Sequence, residues 1–304
     1  MTTRRQFLST TAMTTTGLLL NCLEAFAKPL ARSSAPGFSL AILATNWGFE
    51  GTHDQFATKV KAAGYDGVEV WVPGDEKDRA EFLQAMQKHN LKFGFLCGGG
   101  DKDPARHLPE FQTGLTTALK ARPLYINCHS GRDHFSFEQN KKFIEWSYSA
   151  SKDTPVPVYH ETHRGRILYS APLTKNFIDA IPNLRLTLDI SHWCAVHESL
   201  LEDQAETVAL ALSRTDHIHA RIGHAEGPQV NDPRAPEWEW AVKAHFAWWD
   251  KIVERKKEEG KPLTILTEFG PADYMPTLPY TRQPLADQWA INVYMRDVLR
   301  KRYA

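Results

Sequence analysis

Eight short apolar runs rich in β-branched residues alternate with eight amphipathic segments along almost the whole chain. The runs fall at 38–46, 67–71, 92–97, 124–129, 156–162, 185–190, 217–222 and 263–269. Segments with helical spacing of apolar residues follow them at 54–63, 78–88, 108–121, 137–150, 173–181, 199–212, 238–259 and 285–301. A strand buried on both faces reads as a continuous apolar run, and strict alternation of such strands with helices specifies a parallel sheet covered by helices. Eight repeats over this length predict a single (β/α)8 TIM barrel rather than an open doubly wound sheet. No glycine-rich phosphate turn follows the first run. Cys97-Gly98-Gly99-Gly100 comes after the third and reads as a flexible rim loop.

The first 27 residues stand apart from this pattern. Thr3-Arg4-Arg5-Gln6-Phe7-Leu8 has the form of a twin-arginine signature, an apolar stretch surrounds Gly17 to Leu20, and Ala25-Phe26-Ala27 is a small-x-small cleavage site. The apolar stretch is too short and too rich in threonine to span a bilayer, so no stable membrane insertion is expected. Asn21 before Cys22 disfavours a lipoprotein. The expectation is a signal peptide over 1–27, a barrel domain over 28–304, and periplasmic export of the folded protein. Loss of Arg4, Arg5 and Glu24 leaves 34 basic and 35 acidic residues, a balance that argues against nucleic acid as a ligand. Cys97, Cys128 and Cys194 remain, an odd set without CxxC spacing, and read as buried thiols, with a Cys97–Cys128 pairing left open.

Four polar residues sit at or near the C-terminal ends of successive runs: Glu161, Asp189, His219 and Glu268. In a parallel barrel those ends face the active site, so residues distant in sequence converge there. Two Glu, one Asp and one His form a mixed oxygen and nitrogen shell suited to one divalent ion, Mn, Zn, Co or Mg. The order of Glu on the fifth strand, Asp-x-x-His after the sixth, His-x-His on the seventh and Glu on the eighth resembles the xylose isomerase-like barrel superfamily. That superfamily includes sugar isomerases and epimerases, hydroxypyruvate isomerase, inosose dehydratase and endonuclease IV. The ligand pattern is similar to that of ketose 3-epimerases. The resemblance, which covers essentially all of the chain after the leader, implies Glu161, Asp189, His219 and Glu268 as metal ligands and His192 as a substrate contact.

The residue types suit such chemistry in their own right. Moving a carbonyl, or inverting the carbon beside it, requires removal of an α-proton, and a divalent ion stabilises the resulting enediolate. Glu161 and Glu268 are the candidate acid/base pair. Arg221, Glu69 and Trp71 join His192 as candidate substrate contacts. His217 projects to the side of His219 as a deeper, packed histidine. His163, Arg164 and Arg166 read equally as an anion or hydroxyl site and as a solvated rim, and Trp47 and Trp193 as rim aromatics. Trp238, Trp240, Trp248 and Trp249 read as core or subunit-contact residues, which leaves a homo-oligomer open. The Pro-rich stretch 227–236 is a candidate lid. The expected function is a metal-dependent isomerase or epimerase of a non-phosphorylated sugar. The alternatives are a lyase or dehydratase on a keto-sugar, ketoglycoside or inosose, and a non-catalytic sugar-binding barrel.

Overall fold

The computed structural model describes residues 26–30 and 34–304. Its eight strands are β1 (Leu40–Thr45), β2 (Gly67–Trp71), β3 (Lys92–Gly98), β4 (Ile126–His129), β5 (Val158–Glu161), β6 (Leu186–Leu188), β7 (Thr215–Ala220) and β8 (Leu263–Thr267). All pair in parallel in sequence order, and β8 closes onto β1. The helices are α1 (His53–Ala62), α2 (Glu76–His89), α3 (Pro104–Lys120), α4 (Phe137–Ser151), α5 (Ala171–Ala180), α6 (Ile190–Val196), α7 (Ala205–Arg214), α8 (Glu239–Glu259) and α9 (Gln288–Tyr303). The chain is a single (β/α)8 barrel, as the alternation of runs predicts.

Side chains alternate along each strand between the helix layer and the barrel interior. Ile42, Val68, Phe95, Ile126, Val158, Leu186, Ile218 and Ile265 take the outward phase and join the main core beneath the helices. The inward phase begins apolar: Ala41, Leu43, Tyr125 and Leu266, with Tyr159 beside them, fill the N-terminal part of the interior. Gly94 makes room for this filling, since a Cβ there would lie 2.4 Å from Tyr125 Cζ. Further along, the inward phase becomes polar, with Glu69, Asn127, Glu161, His217 and His219 all buried.

Helix starts follow local capping chemistry more than the apolar pattern. Thr52 and Ser136 form capping boxes with Gln55 and Gln139, satisfying first-turn N–H groups. Asp103 and Pro104 start α3 four residues before the apolar repeat does, because an Asp cap and a proline at the first position suit a helix N-terminus. The run at 185–190 is strand only to Leu188. Asp189 accepts a hydrogen bond from the Ser191 N–H and begins α6, a turn that continued hydrophobicity through Ile190 conceals. The expected helix at 199–212 opens with a 3-10 turn, Glu202–Gln204, before α7.

Cys97 and Cys128 are register partners on β3 and β4, and all three cysteines among the described residues are free and buried. Trp249 is fully buried, Trp238 and Trp248 pack on the core, and Trp240 is exposed. Residues 1–25, which carry the twin-arginine pair, lie outside the described residues. Phe26 and Ala27 are buried, and the Phe26 ring stacks on Phe246 at 5.2 Å, so processing after Ala27 would withdraw that ring. Among the described residues no helix is long and apolar enough to cross a membrane.

At the N-terminal side of the barrel one carboxylate holds three cations. Asp216 accepts a two-pronged bond from Arg185 (2.6 and 2.8 Å), is ion-paired by Lys256, and has Arg255 at 3.8 Å. The cluster ties the start of β6 to β7 and α8. Asp216→Asn leaves Arg185 and Lys256 without their counter-charge, while Arg255 keeps Glu259, and is expected to lower unfolding free energy by about 1–2 kcal/mol in urea titration, below the scale for a fully buried pair.

Candidate metal centre

Glu161 ends β5, Asp189 caps α6 one residue after β6, His219 lies on β7, and Glu268 follows β8 directly. One ligand atom from each of these four residues lies within 4.8 Å of the others. The strand phases deliver them: Thr264, Leu266 and Glu268 share one face, as do His217, His219 and Arg221. His219 Nδ1 is 2.8 Å from Glu268 Oε2 and 3.6 Å from Glu161 Oε1. Its other nitrogen, Nε2, is 3.0 Å from Glu69 Oε1, reached from the far side of the barrel. An imidazole that donates Nε2–H to a carboxylate presents the Nδ1 lone pair for coordination, the usual support for a metal-bound histidine.

Neighbouring side chains hold this arrangement in place. Asn127 Nδ2 donates to Glu161 Oε2 at 2.8 Å. The Arg221 guanidinium bonds Asp189, donates to His192 Nε2 at 2.7 Å, and stands 3.7 Å from Glu268 Oε2. Burial, with His163 and Arg221 nearby, holds His192 well below its usual pKa, so it is a neutral acceptor. Glu69 also reaches His217 Nε2 at 3.1 Å, and His217 Nδ1 meets the Thr264 hydroxyl at 2.7 Å.

Four buried carboxylates share this space with one guanidinium. Burial raises Glu161 to about 8, with Glu268, Asp189 and Glu69 adding to the rise against the pull of His219. Burial also raises Asp189, against Arg221. Burial pushes Glu268 up, but His219 and Arg221 more than offset it and hold the carboxylate low. Burial alone would lower His219, yet Glu268, Glu69 and Glu161 drive it well above its ordinary value. The site thus draws a proton into the position a cation would take. His219 Nδ1 and Glu268 Oε2, both buried, face each other across 2.8 Å and have no well-aligned hydrogen bond to any other described group. Donor types, convergence and electrostatics all fit a divalent ion. Two further groups lie equally close: Glu69, His217 and His219, and His129, Glu161 and His163.

Above the centre opens a cavity of about 470 Å³ lined by Glu69, Glu161, Arg221 and Glu268, by His129 and His163, and by Trp47, Trp71 and Tyr274. His192, Asp189 and His219 are fully buried and lie outside the lining. Several expectations for the rim are corrected. Trp193 is a core residue whose indole N–H donates to the Leu168 carbonyl. The 227–236 loop lines none of the cavity, because Gln229 bonds both backbone groups of Gly270 and Val230 N bonds Ile222 O. Gly99 and Gly100 are tied down through carbonyls that accept from Arg166 and Arg132. Arg164 lies over the Tyr274 ring at 5.2 Å, and His160 faces outward to Ser147. Sequence reasoning passed over Asn127, His129 and Tyr274. A lone Asn and a strand-terminal His in the run Leu124-Tyr-Ile-Asn-Cys-His129 were the available signals, and Tyr274 in its loop had none.

The family described as Xylose isomerase-like TIM barrel matches residues 57–232. No curated protein matches the chain. Among solved structures, the 3-keto-D-glucoside 4-epimerase YcjR of E. coli is 14% identical, with a TM-score of 0.56 over 86% of this chain and 99% of that one. A probable 3-DHS dehydratase of Bacillus anthracis gives the same identity, coverage and score. A xylose isomerase-like TIM barrel protein from Mycobacterium smegmatis, in complex with magnesium, is 9% identical, with a TM-score of 0.50 over 86% of this chain and 96% of that one. At these identities the likeness is one of fold. Protein purified without a metal-affinity tag is expected to carry roughly one equivalent of divalent metal by elemental analysis, and the Glu161→Gln plus Asp189→Asn variant less than about a fifth of that.

Proposed function

Since the chain belongs to the xylose isomerase-like TIM barrel family, we propose that it is a metal-dependent isomerase or epimerase of a non-phosphorylated sugar or sugar derivative. The observation that carries this reading is the placement of Glu161 and Glu268 about His219 Nδ1, from β5 and from the end of β8, with both carboxylates on the cavity wall. A divalent ion held by Glu161, Asp189, His219 and Glu268 would polarise a carbonyl and offset the charge of the enediolate.

The protein's own groups supply the proton transfers. Glu268, held low by His219 and Arg221, serves as the base, and Glu161 across the site returns the proton, each acting through the carboxylate oxygen not committed to the ion. Arg221, on the cavity wall beside Glu268, offers donors to the substrate oxygens, and His192 fixes the guanidinium from behind. The twin-arginine pair Arg4-Arg5 supports a periplasmic reaction, where a free sugar or glycoside is a better candidate than a sugar phosphate.

Incubation in deuterated water with a panel of free ketoses, ketoglycosides and inososes should place deuterium on the carbon beside the carbonyl of one class. An unsaturated product would make the enzyme a lyase instead, and absence of uptake across the panel would leave a sugar-binding barrel. Glu268→Gln should retain metal by elemental analysis yet lose at least about a thousandfold in exchange rate. Full activity in that variant would reduce Glu268 to a structural ligand.

A further inference from the structure

Apart from Glu69, the ionisable residues of the cavity lie on one side. Glu161, His163, Arg221 and Glu268 come from β5, β7, β8 and the segments that follow them. The opposite wall, from β1 to β3, is formed by Thr45, Asn46, Trp47, Val70, Trp71 and Leu96. Its one charged group, Glu69, is buried and turned to His217 and His219. This wall offers neither a cation for a phosphate nor an anion for an amine.

Two indoles stand at its edge. Trp71 ends β2 and is 51% exposed, and Trp47 follows β1 and is 37% exposed. Ring contacts run from Trp47 to Tyr274 (4.9 Å), through the buried His192 behind the lining (6.2 Å) to His163 (3.8 Å) and His129 (4.2 Å), and back to Trp71 (5.6 Å). Among the described residues no ring contact joins Trp71 to Trp47, although β1 and β2 are neighbours. The two indoles therefore flank a gap on the uncharged side. Asn46 lines the cavity beside Trp47. A hexose has roughly the bulk of six water molecules, about 180 Å³ at water's share of liquid volume. The cavity, at about 470 Å³, is more than twice that.

We propose that Trp47, Trp71 and Asn46 form a subsite for a second pyranose ring, so that the substrate is a disaccharide or glycoside rather than a free monosaccharide. The proposal rests on the sugar reading above. A pyranose presents a face of C–H groups that packs on an indole and an edge of hydroxyls that an amide can bond, and it carries no charge for this wall to reject. The reacting ring lies against Glu161 and Glu268, and the second ring occupies the gap.

Binding without turnover tests the subsite. Cellobiose, lactose, trehalose and sucrose are titrated beside glucose, galactose and fructose, with ligand-observed NMR as the readout. At least one disaccharide should bind about tenfold more tightly than either of its halves, a difference on the scale of one good aromatic stack. In Trp71→Ala that ratio should fall to within about twofold, and Trp71→Phe should restore most of it. Thermal unfolding of the variants checks that the fold survives. Equal binding of one-ring and two-ring sugars to the wild type overturns the proposal, as does a ratio unchanged in Trp71→Ala. A nitrophenyl monosaccharide that binds more tightly than every disaccharide also overturns it, in favour of a planar aromatic group. A two-ring preference without deuterium uptake sustains the subsite and defeats the enediolate reading. Uptake on free ketoses without that preference does the reverse.

Discussion

His219 has a carboxylate at each ring nitrogen, Glu69 at Nε2 and Glu268 at Nδ1. These partners arrive from β2 and from the end of β8, so the imidazole is clamped across the barrel interior. Its position is set by register: His217 pairs with Thr264 and His219 with Leu266 between β7 and β8. A slip of one residue would turn His217, His219 and Arg221 into the helix layer and place Ile218 and Ala220 in the interior. The carboxylates would then lose the groups that hold them. Parallel pairing around a closed barrel is therefore what permits so many ionisable groups to be buried together.

The polar site contrasts with the interior below it. Toward the N-terminal ends, aliphatic and tyrosine side chains fill the space, with Gly94 yielding room to Tyr125. Toward the C-terminal ends, buried polar atoms without hydrogen-bond partners among the described residues gather, among them His129 Nδ1, His192 Nδ1 and Asn127 Oδ1. A folded chain retains such atoms at a cost of stability, and they cluster where a ligand completes their bonding. The Asp216 cluster at the opposite end shows the other solution, in which a carboxylate is satisfied by cations within the protein.

The fold was legible because a barrel strand is buried on both faces and a barrel helix on one, and each leaves its own period in the chain. Glu161, His219 and Glu268 were legible as polar residues in phase with apolar strands. What escaped depended on contacts between elements. The turn at Asp189 follows from a side-chain cap that hydrophobicity does not register. Asn127 matters because Glu161 sits on the next strand, and Tyr274 because a loop folds back over Arg221. The 227–236 segment has a lid's composition, yet Gln229 anchors it to Gly270, a pairing 41 residues apart in sequence. Trp193 follows a strand end as a rim residue would, but the short helix α6 carries it into the core.

The packing of Tyr125, Tyr159, Leu43 and Leu266 across the interior also closes the barrel from below. Among the described residues the interior is filled beneath the cavity, so a chain cannot thread through the barrel from one end to the other. Whatever reaches Glu161 and Glu268 enters tip first, with the remainder of the molecule trailing into solvent past Trp71. For the saccharide substrate proposed above, such a shape would admit the ends of chains and the caps of branches and leave the interior links of a long saccharide out of reach.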